Sequence, residues 1–323
     1  MKAVICEQTG ADGYVRYRDT DEPVAGPSQL IVDNRAMSLN FPDLLQIAGL
    51  YQIRPKVPFV LGMEYAGVVS AAGEGVTGFE VGERVAGMTY GAFAEKVIAF
   101  PPSCYPLPDE VDFDAGAAMT LAGGTALYAL RERGALQAGE TLAVLGASGG
   151  TGSFAVQIGR ALGANVIAIC SSADKAAAAL RAGAGEAVDL SSEDLTDGLK
   201  SLTSGHGIDV LYDPVGGEAF EIASRRVAWN GRILTIGYAS GTIPQLAINQ
   251  ALIKGYSLVG VHWAAAIRKE VTLARRVIAD VFAMYANGDI QPQIDQRYTL
   301  AEIDLALDQM RQRKVAGKVI IHP

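Results

Sequence analysis

The 323-residue chain contains two different patterns of apolar and polar positions. Residues 1–120 carry short alternating or apolar runs that Gly and Pro interrupt, a pattern typical of a small, irregular β-domain. Between Thr141 and Gly288, apolar runs of strand length alternate with segments of helical spacing. After Gln291 the pattern of residues 1–120 returns, with an amphipathic helix and a closing strand, Lys318–His322. The middle of the chain is therefore predicted to be a domain inserted into another domain.

Six apolar runs in the middle of the chain have the length of buried parallel strands. Because helical segments separate them, they predict a doubly wound parallel sheet of the Rossmann type. We therefore predict an α/β protein of two domains, which the chain length also suits. The predicted bounds are 1–121 and 291–323 for the β-rich domain, and 122–290 for the inserted domain. The six strands are predicted at Thr141–Leu145, Asn165–Cys170, Glu186–Leu190, Ile208–Tyr212, Arg232–Ile236 and Ser257–Val261.

A glycine-rich turn, Gly146–Gly152, separates the first of these strands from the helix that follows it. A dinucleotide pyrophosphate binds to backbone amides at a helix N-terminus, where side chains would hold the phosphates away. Gly149 and Gly152 take the second and third glycine positions of the GxGxxG pattern, and Ala147 takes the first. The turn therefore predicts a nucleotide cofactor. The contacts are expected from Ala147, Ser148, Gly149, Gly150, Thr151 and Gly152.

The residues after the second predicted strand indicate which dinucleotide binds. An NAD-selective site has an acidic residue about 20 residues after the glycines, because a carboxylate accepts hydrogen bonds from the ribose 2′-hydroxyl. Ser171 and Ser172 stand at this place, and Lys175 follows them. Hydroxyl groups and an ammonium group suit a 2′-phosphate, which an acid would repel. We therefore predict NADPH, although Asp174 is a contrary signal and Lys175 also fits a solvated first turn of the next helix.

Composition and charge exclude several classes of partner. A net charge of −8 without any block of like charge argues against nucleic acid and against an anionic membrane. No run approaches the roughly 18 apolar residues of a membrane span, and the N-terminus lacks a signal-peptide pattern, so we expect a soluble cytoplasmic protein. The three cysteines and three histidines lie far apart in sequence. Neither a disulfide framework nor a structural zinc site is therefore expected.

Several motifs, spread in order over the whole chain, carry a family resemblance. They are LNFPDLLQIAGLY (Leu39–Tyr51), PFVLGMEYAGVVSAAGEGV (Pro58–Val76), VGERVAG (Val81–Gly87), GGTALYAL (Gly123–Leu130), GASGGTG (Gly146–Gly152), DPVGG (Asp213–Gly217) and GKVII (Gly317–Ile321). With them the chain resembles the zinc-free quinone oxidoreductase branch of the medium-chain dehydrogenase/reductase superfamily, which includes zeta-crystallin-like proteins. The resemblance implies a GroES-like catalytic domain around the inserted Rossmann domain. It also implies a homodimer that pairs through the last strand of the inserted sheet.

The resemblance also bears on metal and substrate. Zinc alcohol dehydrogenases of the same superfamily carry a GHE motif, which reads Gly62-Met63-Glu64 here, so Met63 stands in place of a zinc-binding histidine. Without a metal there is no Lewis acid to polarise a simple ketone. The resemblance therefore implies a metal-free site. The substrate is expected to be already electrophilic: a quinone, an enone or an α,β-unsaturated thioester.

Two candidates for the reaction itself follow from the resemblance. Tyr51 matches the reductase tyrosine of related zinc-free enoyl thioester reductases. It either donates a proton or a hydrogen bond to the substrate carbonyl, or forms an aromatic wall of the pocket. Asn40 matches a site asparagine of the family and either donates to nicotinamide, ribose or substrate oxygen, or serves as a turn residue. Asp43 is interpreted as a residue of a helix N-terminus, with contact to the reaction centre as the alternative.

The remaining cofactor contacts are likewise implied by the resemblance. Thr125 matches a position near the nicotinamide, and Gly237 lets the cofactor pass close to the backbone. Gly260 and Val261 lie where the family contacts the carboxamide. Arg313 aligns with a basic residue that helps to bind the 2′-phosphate in some relatives, a role that the next residue, also basic, could equally fill.

The residues and the resemblance together predict an NADPH-dependent quinone oxidoreductase or enone reductase that transfers hydride to a conjugated electrophile without zinc. Two alternatives stay open. One is a 2-enoyl thioester reductase acting on CoA or acyl-carrier thioesters. The other is an NADPH-binding protein without catalytic activity, of which the lens crystallins of this family are the example.

Overall fold

A computed structural model describes residues 1–323 and confirms the α/β class predicted from the sequence. The chain folds into two compact units. Unit 1 consists of Met1–Leu121, Ala264–Ala286 and Pro292–Pro323, and unit 2 consists of Ala122–Trp263 and Asn287–Gln291. The middle of the chain is thus inserted between the segments of unit 1.

Strands dominate the first third of the chain, and strands alternate with helices after it. The strands are β1 (Lys2–Gln8), β2 (Tyr14–Asp19), β3 (Leu30–Leu39), β4 (Phe59–Val60), β5 (Glu64–Ala72), β6 (Arg84–Met88), β7 (Lys96–Ala99), β8 (Cys104–Pro106), β9 (Thr141–Leu145), β10 (Asn165–Cys170), β11 (Glu186–Asp189), β12 (Ile208–Asp213), β13 (Val227–Thr235), β14 (Ser257–Gly260), β15 (Ile294–Thr299) and β16 (Lys318–His322). The α-helices are α1 (Phe41–Ile47), α2 (Phe113–Met119), α3 (Ala122–Leu127), α4 (Gly150–Ala161), α5 (Ala173–Arg181), α6 (Leu195–Leu202), α7 (Gly217–Ser224), α8 (Asn249–Lys254), α9 (Trp263–Lys269), α10 (Val271–Ala286) and α11 (Ile303–Arg311). No helix is long and apolar enough to cross a membrane.

Two sheets make up most of unit 1. One has three strands in the order β2-β1-β4, and the other follows the order β15-β16-β3-β5-β6-β8, with β7 also pairing β3. Strand β3 is the centre of the larger sheet, because β5, β7 and β16 all pair with it in antiparallel register. Apolar side chains of both sheets pack with those of α11 in one core. The closing strand of the chain, β16, is therefore an inner strand of unit 1.

Unit 2 contains the predicted parallel sheet, with strand order β11-β10-β9-β12-β13-β14. All five neighbouring pairs are parallel, and helices of unit 2 connect the strands. The chain builds outward from β9 to β11 and then returns to β12 beside β9, so the strand order reverses between β9 and β12. Ligands of open α/β sheets bind at the carboxyl ends of strands at such a reversal.

The structure differs from the predicted domain bounds in one long segment and at Gln291, which belongs to unit 2. The sequence bounds assign residues 264–286 to the inserted domain, whereas the structure groups them with unit 1. The reason is that α10 packs against α2, β8 and the short turn Pro101–Ser103 of unit 1. Arg275 of α10 also donates to the Pro101 carbonyl at 3.3 Å. Helical periodicity predicts α10, but it does not report which neighbour the apolar face of α10 contacts.

Candidate active site and cofactor-binding turn

The glycine-rich turn lies at the carboxyl end of β9, next to the reversal of strand order. Gly146 has a φ of +60°, which turns the chain out of the strand, and its carbonyl accepts the Gly149 N–H at 2.9 Å. Helix α4 begins at Gly150, and its N-cap residue, Gly149, has no side chain that could cap the first turn. The first N–H groups of a helix have no partner within the helix. The N-terminus of α4 therefore offers uncapped backbone donors, which is what an anionic group requires.

Close contacts limit the side chains that fit in this turn. A Cβ atom on Gly152 would lie 2.1 Å from the Gly146 carbonyl oxygen, so only glycine fits there. A Cβ on Gly149 would lie 3.2 Å from the same oxygen. Sequence reasoning gave the first glycine position to Ala147, which is fully buried, but the residue with positive φ is Gly146. The sequence did contain a sign of this turn, because Gly146 directly follows Leu145, the last residue of β9.

Thr151 uses its hydroxyl within the protein. Thr151 Oγ1 lies 2.6 Å from the hydroxyl oxygen of Tyr212, which is fully buried on β12, and 3.4 Å from the Ala122 carbonyl oxygen. This contact joins the first turn of α4 to the strand on the other side of the strand-order reversal. The part of Thr151 that remains for a ligand is its backbone N–H.

Asp213, at the end of β12, belongs to the same edge of the sheet and was not singled out from the sequence. Its Oδ1 accepts the N–H groups of Val215 and Gly216, both at 2.8 Å, and so holds the next turn. Its Oδ2 is buried and has no hydrogen-bond partner. Burial raises the pKa of Asp213 to about 6, although the two backbone donors oppose that shift. The DPVGG motif contains this residue, but nothing in the motif itself indicates a buried carboxylate.

The residues that were predicted to select the cofactor follow β10 and extend into the first turn of α5. Ser172 is the N-cap of α5, and its Oγ accepts the Lys175 N–H. The Lys175 ammonium donates to Ser171 Oγ at 3.3 Å on the exposed surface. The structure therefore brings Ser171 and Lys175 together, while Ser172 has a structural contact.

The other predicted cofactor residues are spread over both units. The Gly237 N–H donates to the Asp213 carbonyl, and a Cβ on Gly260 would meet no atom within 4 Å. Val261 follows β14 with little exposure, and Thr125 is buried in α3. These four residues belong to unit 2, whereas Arg313 belongs to unit 1. Arg313 is exposed after α11, with a φ of +55°.

Tyr51 lies in unit 1, just after α1. Its N–H and that of Leu50 both donate to the Leu45 carbonyl, which ties the residue to the end of the helix. Burial raises the pKa of the Tyr51 phenol to about 12, with smaller contributions from Tyr90 and Asp43, while Arg268 opposes the shift. The phenol is therefore protonated at neutral pH. Tyr90 and Arg268 were missed from the sequence, because no motif contains them.

Asn40 is buried, and its side-chain amide is not a free hydrogen-bond donor. Its Nδ2 donates to the Ser38 carbonyl at 2.9 Å and to Glu64 Oε2 at 3.0 Å. Its Oδ1 accepts a hydrogen bond from the Lys318 ammonium at 2.5 Å. Both N–H donors of the amide therefore have protein partners, and the donation to cofactor or substrate that the resemblance implied is not available in this arrangement. Lys318 was not recognised from the sequence.

Asp43 stands at the N-terminus of α1 beside Asn40. Its Oδ2 accepts the Asn40 N–H at 2.7 Å, and its Oδ1 is buried without a partner. Burial raises the pKa of Asp43 to about 7, against the effects of that hydrogen bond and of Lys318. The helix-terminal interpretation of Asp43 thus agrees with its contacts.

A cavity of about 310 Å³ lies in unit 1 next to Tyr90. Its walls are mainly apolar, and the Nε2 atom of Gln46, one of the lining residues, is buried without a hydrogen-bond partner. The lining residues are Met1, Pro23, Gln46, Pro55, Phe59, Val60, Tyr90, Gly91, Lys96, Val97 and Ile98.

Comparison with known proteins identifies the family. Residues 26–109 match the alcohol dehydrogenase GroES-like domain, and residues 150–280 match the zinc-binding dehydrogenase family. A quinone oxidoreductase of Pseudomonas aeruginosa is 35% identical over 97% of this chain and 97% of its own length. The chain belongs to the zinc-free quinone oxidoreductase branch of the medium-chain dehydrogenase/reductase superfamily. A quinone oxidoreductase-like protein 2 homolog of Nematostella vectensis is 34% identical over 99% of the chain and 88% of its own length.

Solved structures agree with this membership in the quinone oxidoreductase branch. The quinone oxidoreductase of Escherichia coli, solved in complex with NADPH, superposes with a TM-score of 0.90 at 27% identity and covers 100% of both chains. The GroES-like and Rossmann architecture implied by the resemblance is thus confirmed.

The family that matches residues 150–280 is described as a zinc-binding dehydrogenase family. Whether this chain could bind zinc depends on which of its side chains could act as ligands. Met63 lies directly before β5 and is buried, with 3% exposure. No group of three or more His, Cys, Asp or Glu side chains is arranged to hold a metal ion. The residues present therefore do not fit a zinc site of the kind that the family description names.

Proposed function

We propose that this protein is an NADPH-dependent quinone oxidoreductase and enone reductase. The observation that carries the proposal is the N-terminus of α4, which Gly149 and Gly152 keep free of side chains beside the strand-order reversal. A pyrophosphate fits such a site because uncapped N–H groups and the helix dipole both favour negative charge. The NADPH bound to the Escherichia coli relative supports NADPH as the dinucleotide. When bound, NADPH supplies the hydride for the reaction.

Different residues of the chain are proposed to bind different parts of this cofactor. Backbone N–H groups of the turn hold the pyrophosphate, and Ser171 with Lys175 binds the 2′-phosphate, with Arg313 as a further basic contact. The buried hydroxyl pair of Thr151 and Tyr212 keeps the turn in place. The proposed contacts of the turn are Ala147, Ser148, Gly149, Gly150, Thr151 and Gly152, with Ser172 beside the 2′-phosphate and Thr125, Gly237, Gly260 and Val261 on the nicotinamide side.

Tyr51 is the proposed donor to the acceptor. As the carbon conjugate to a carbonyl is reduced, negative charge builds on the carbonyl oxygen, and a hydrogen bond to that oxygen stabilises it. The raised pKa keeps the Tyr51 phenol protonated, as a donor must be. In the alternative arrangement Tyr51 forms an aromatic wall and water supplies the protons. Asn40 is proposed to orient neighbouring groups instead of contacting the substrate.

The acceptor is proposed to be a small, already electrophilic carbonyl compound. The lack of a zinc-ligating set leaves hydrogen bonding as the means by which the protein's side chains can polarise a carbonyl. The apolar cavity beside Tyr90 suits an uncharged ring system, and Gln46 could donate there to one oxygen. Quinones and cyclic enones meet these conditions, whereas a CoA thioester would add a long, charged tail.

A panel of acceptors tests the proposal. Purified protein would be given NADPH with benzoquinone and naphthoquinones, with a cyclic enone, and with crotonyl-CoA, while NADPH oxidation is followed. Semiquinone formation would be followed separately by electron paramagnetic resonance. We expect turnover of quinones and enones that exceeds turnover of the thioester. Tight NADPH binding without turnover of any acceptor would favour the non-catalytic alternative, and preference for crotonyl-CoA would favour the thioester reductase.

We also propose that the protein is a homodimer. Strand β14 is an edge strand of the parallel sheet, and its Leu258 is 53% exposed. Large apolar side chains from nearby parts of unit 2 are more exposed still: Trp229, Ile248, Leu252 and Ile253. An unpaired edge with exposed apolar residues is prone to association, and a second copy covers it with closed symmetry.

The cytoplasmic location expected from the sequence stays a proposal. The three cysteines are all free and buried, as suits a reducing compartment. Cell fractionation with an antibody against the protein would test it.

A further inference from the structure

Unit 1 contains a buried lysine to which the proposed function assigns no role. Lys318, the first residue of β16, is only 2% exposed, and its ammonium lies 3.0 Å from Glu64 Oε2. Glu64 is fully buried and accepts two hydrogen bonds at each oxygen: Asn40 and Lys318 at Oε2, and Thr120 Oγ1 and the Leu121 N–H at Oε1. No donor or acceptor of Glu64 is left for a ligand.

Such a pair has no general stability advantage over an apolar core. Taking two charges out of water is costly, and well-packed apolar residues of similar volume often give equal or greater stability. Lysine is almost never fully buried unless it is paired. Stability alone therefore does not account for the pair.

The pair fixes the orientation of the Asn40 side chain. An ammonium group only donates, so Lys318 must face Asn40 Oδ1, and an ionised carboxylate only accepts, so Glu64 must face Nδ2. Exchanging the two ends of the amide would place donor against donor and acceptor against acceptor. Asn40 therefore has one permitted orientation.

Contacts continue from Asn40 to Tyr51 through α1. The Asn40 N–H donates to Asp43 Oδ2 in the first turn of the helix. At the other end, the Leu45 carbonyl accepts the N–H of Tyr51. The helix between these two contacts has only seven residues, so we expect a shift at one end to reach the other.

From these contacts we propose that Lys318 is a positioning residue for Tyr51: with Glu64 it locks Asn40, and Asn40 sets the placement of α1 and of the phenol that follows it. For turnover this inference rests on the proposed function, whereas the placement of Tyr51 can be measured without it. Lys318 and Glu64 touch neither cofactor nor substrate in this role. Their loss therefore lowers turnover of acceptors that need Tyr51 and leaves NADPH affinity unchanged.

The test is the double variant Lys318→Met with Glu64→Gln, which removes both charges of the pair together, so that neither partner is left as an unpaired buried charge. The protein is labelled with 3-fluorotyrosine, and the Tyr51 resonance is assigned by its loss in Tyr51→Phe. We expect the double variant to keep its circular dichroism spectrum and its NADPH Kd within about twofold, while the Tyr51 resonance shifts or broadens. Tyr238, in unit 2, is the internal reference. Lys2→Met is the matched control, because Lys2 pairs with Asp19 at 2.8 Å on the surface.

Turnover supplies a second arm. In the wild-type background Tyr51→Phe should lower enone turnover by about 10²-fold, and in the double-variant background by less than about threefold, because Tyr51 is already displaced. An unshifted Tyr51 resonance in the folded double variant would overturn the inference whatever the activity. An undiminished effect of Tyr51→Phe there would do the same. If wild-type protein reduces no acceptor, the proposed function fails, and the resonance still decides the inference.

A second variant guards against misfolding of the first. Asn40→Ala keeps the Lys318–Glu64 pair and the contacts of Glu64 with Thr120 and Leu121, but it removes the side-chain amide through which the pair holds Asn40. The backbone N–H bond to Asp43 Oδ2 remains. The variant should move the Tyr51 resonance in the same direction. An unchanged resonance in folded Asn40→Ala protein would equally overturn the inference.

Discussion

The Lys175 ammonium lies 3.3 Å from the hydroxyl oxygen of Ser171, and both groups stand where an NAD-selective site has a carboxylate. Replacing Lys175 by Ala should weaken NADPH binding by about 10- to 100-fold, the range for losing a charge-assisted hydrogen bond to a phosphate. NADH binding should hardly change, because only the 2′-phosphate carries the extra charge. Titration of protein fluorescence with each cofactor measures both. Lys200→Ala, at an exposed position of α6, is the control, and equal losses for the two cofactors would refute the assignment.

Replacing Tyr51 by Phe should distinguish a donor from a pocket wall. If the hydroxyl stabilises charge on the carbonyl oxygen, turnover of an enone should fall by roughly 10²-fold or more. Quinones should lose much less, because their reduced form gains aromaticity and water can protonate it later. Because the pKa of Tyr51 is raised to about 12, its ionisation should not limit turnover below about pH 10. Small, equal effects on both classes of acceptor would leave Tyr51 as a wall, and the exposed Tyr17→Phe serves as the control.

Asp43 should make stability depend on pH. Its pKa is raised to about 7 in the folded protein from an ordinary value of 3.8, so the folded state holds a proton that the unfolded state has released between these values. The free energy of unfolding should therefore fall as pH rises from about 4 to about 7, and the contribution should be constant above that. Asp43→Asn should flatten part of this slope, as measured by urea unfolding at a series of pH values. Asp213, whose pKa is raised to about 6, should keep the rest.

The control for that series is Asp19→Asn, since the pKa of Asp19 is lowered by its hydrogen bond with Lys2. A group of that kind stabilises the fold as pH rises, so its loss cannot flatten a falling slope. An unchanged slope in Asp43→Asn would mean that the carboxylate is ionised in the folded protein.

The proposed dimer should depend on the apolar surface of unit 2. Leu258→Lys combined with Leu252→Glu should convert the protein to monomers at micromolar concentration, because both place a charge where a second copy would cover it. Light scattering coupled to size-exclusion chromatography gives the mass. Leu305→Lys is a matched control, since Leu305 is 58% exposed on α11 in unit 1. A wild-type monomer under these conditions would contradict the proposal directly.

Removing metal should change nothing. Because no three His, Cys, Asp or Glu side chains are grouped for a metal ion, prolonged dialysis against a chelator should leave turnover and the unfolding temperature unaltered. Elemental analysis before and after dialysis completes the measurement. Stoichiometric zinc that is lost together with activity would show that the donor set has been misjudged.

Local signals predicted the fold well and the buried polar contacts poorly. Strands β9 and β10 begin and end where their apolar runs do, because a buried parallel strand is continuous in sequence. Strand β2 was not predicted, since its exposed, charged residues lack an apolar run. Lys318 and Asn40 lie 278 positions apart, and no periodicity relates residues at that distance. The sequence therefore marked Asn40 as a candidate but could not show that both of its N–H donors have protein partners.

The inserted arrangement determines the order in which the two units become complete during synthesis. Strand β3 leaves the ribosome early, but its neighbour β16 is the last element of the chain, and Lys318 arrives with it. Unit 2 uses no residue beyond Gln291, so all of its residues are synthesised before β16 and before Lys318 can pair with Glu64. A nascent chain that stops short of β16 would carry an unpaired inner strand and a buried carboxylate without its partner.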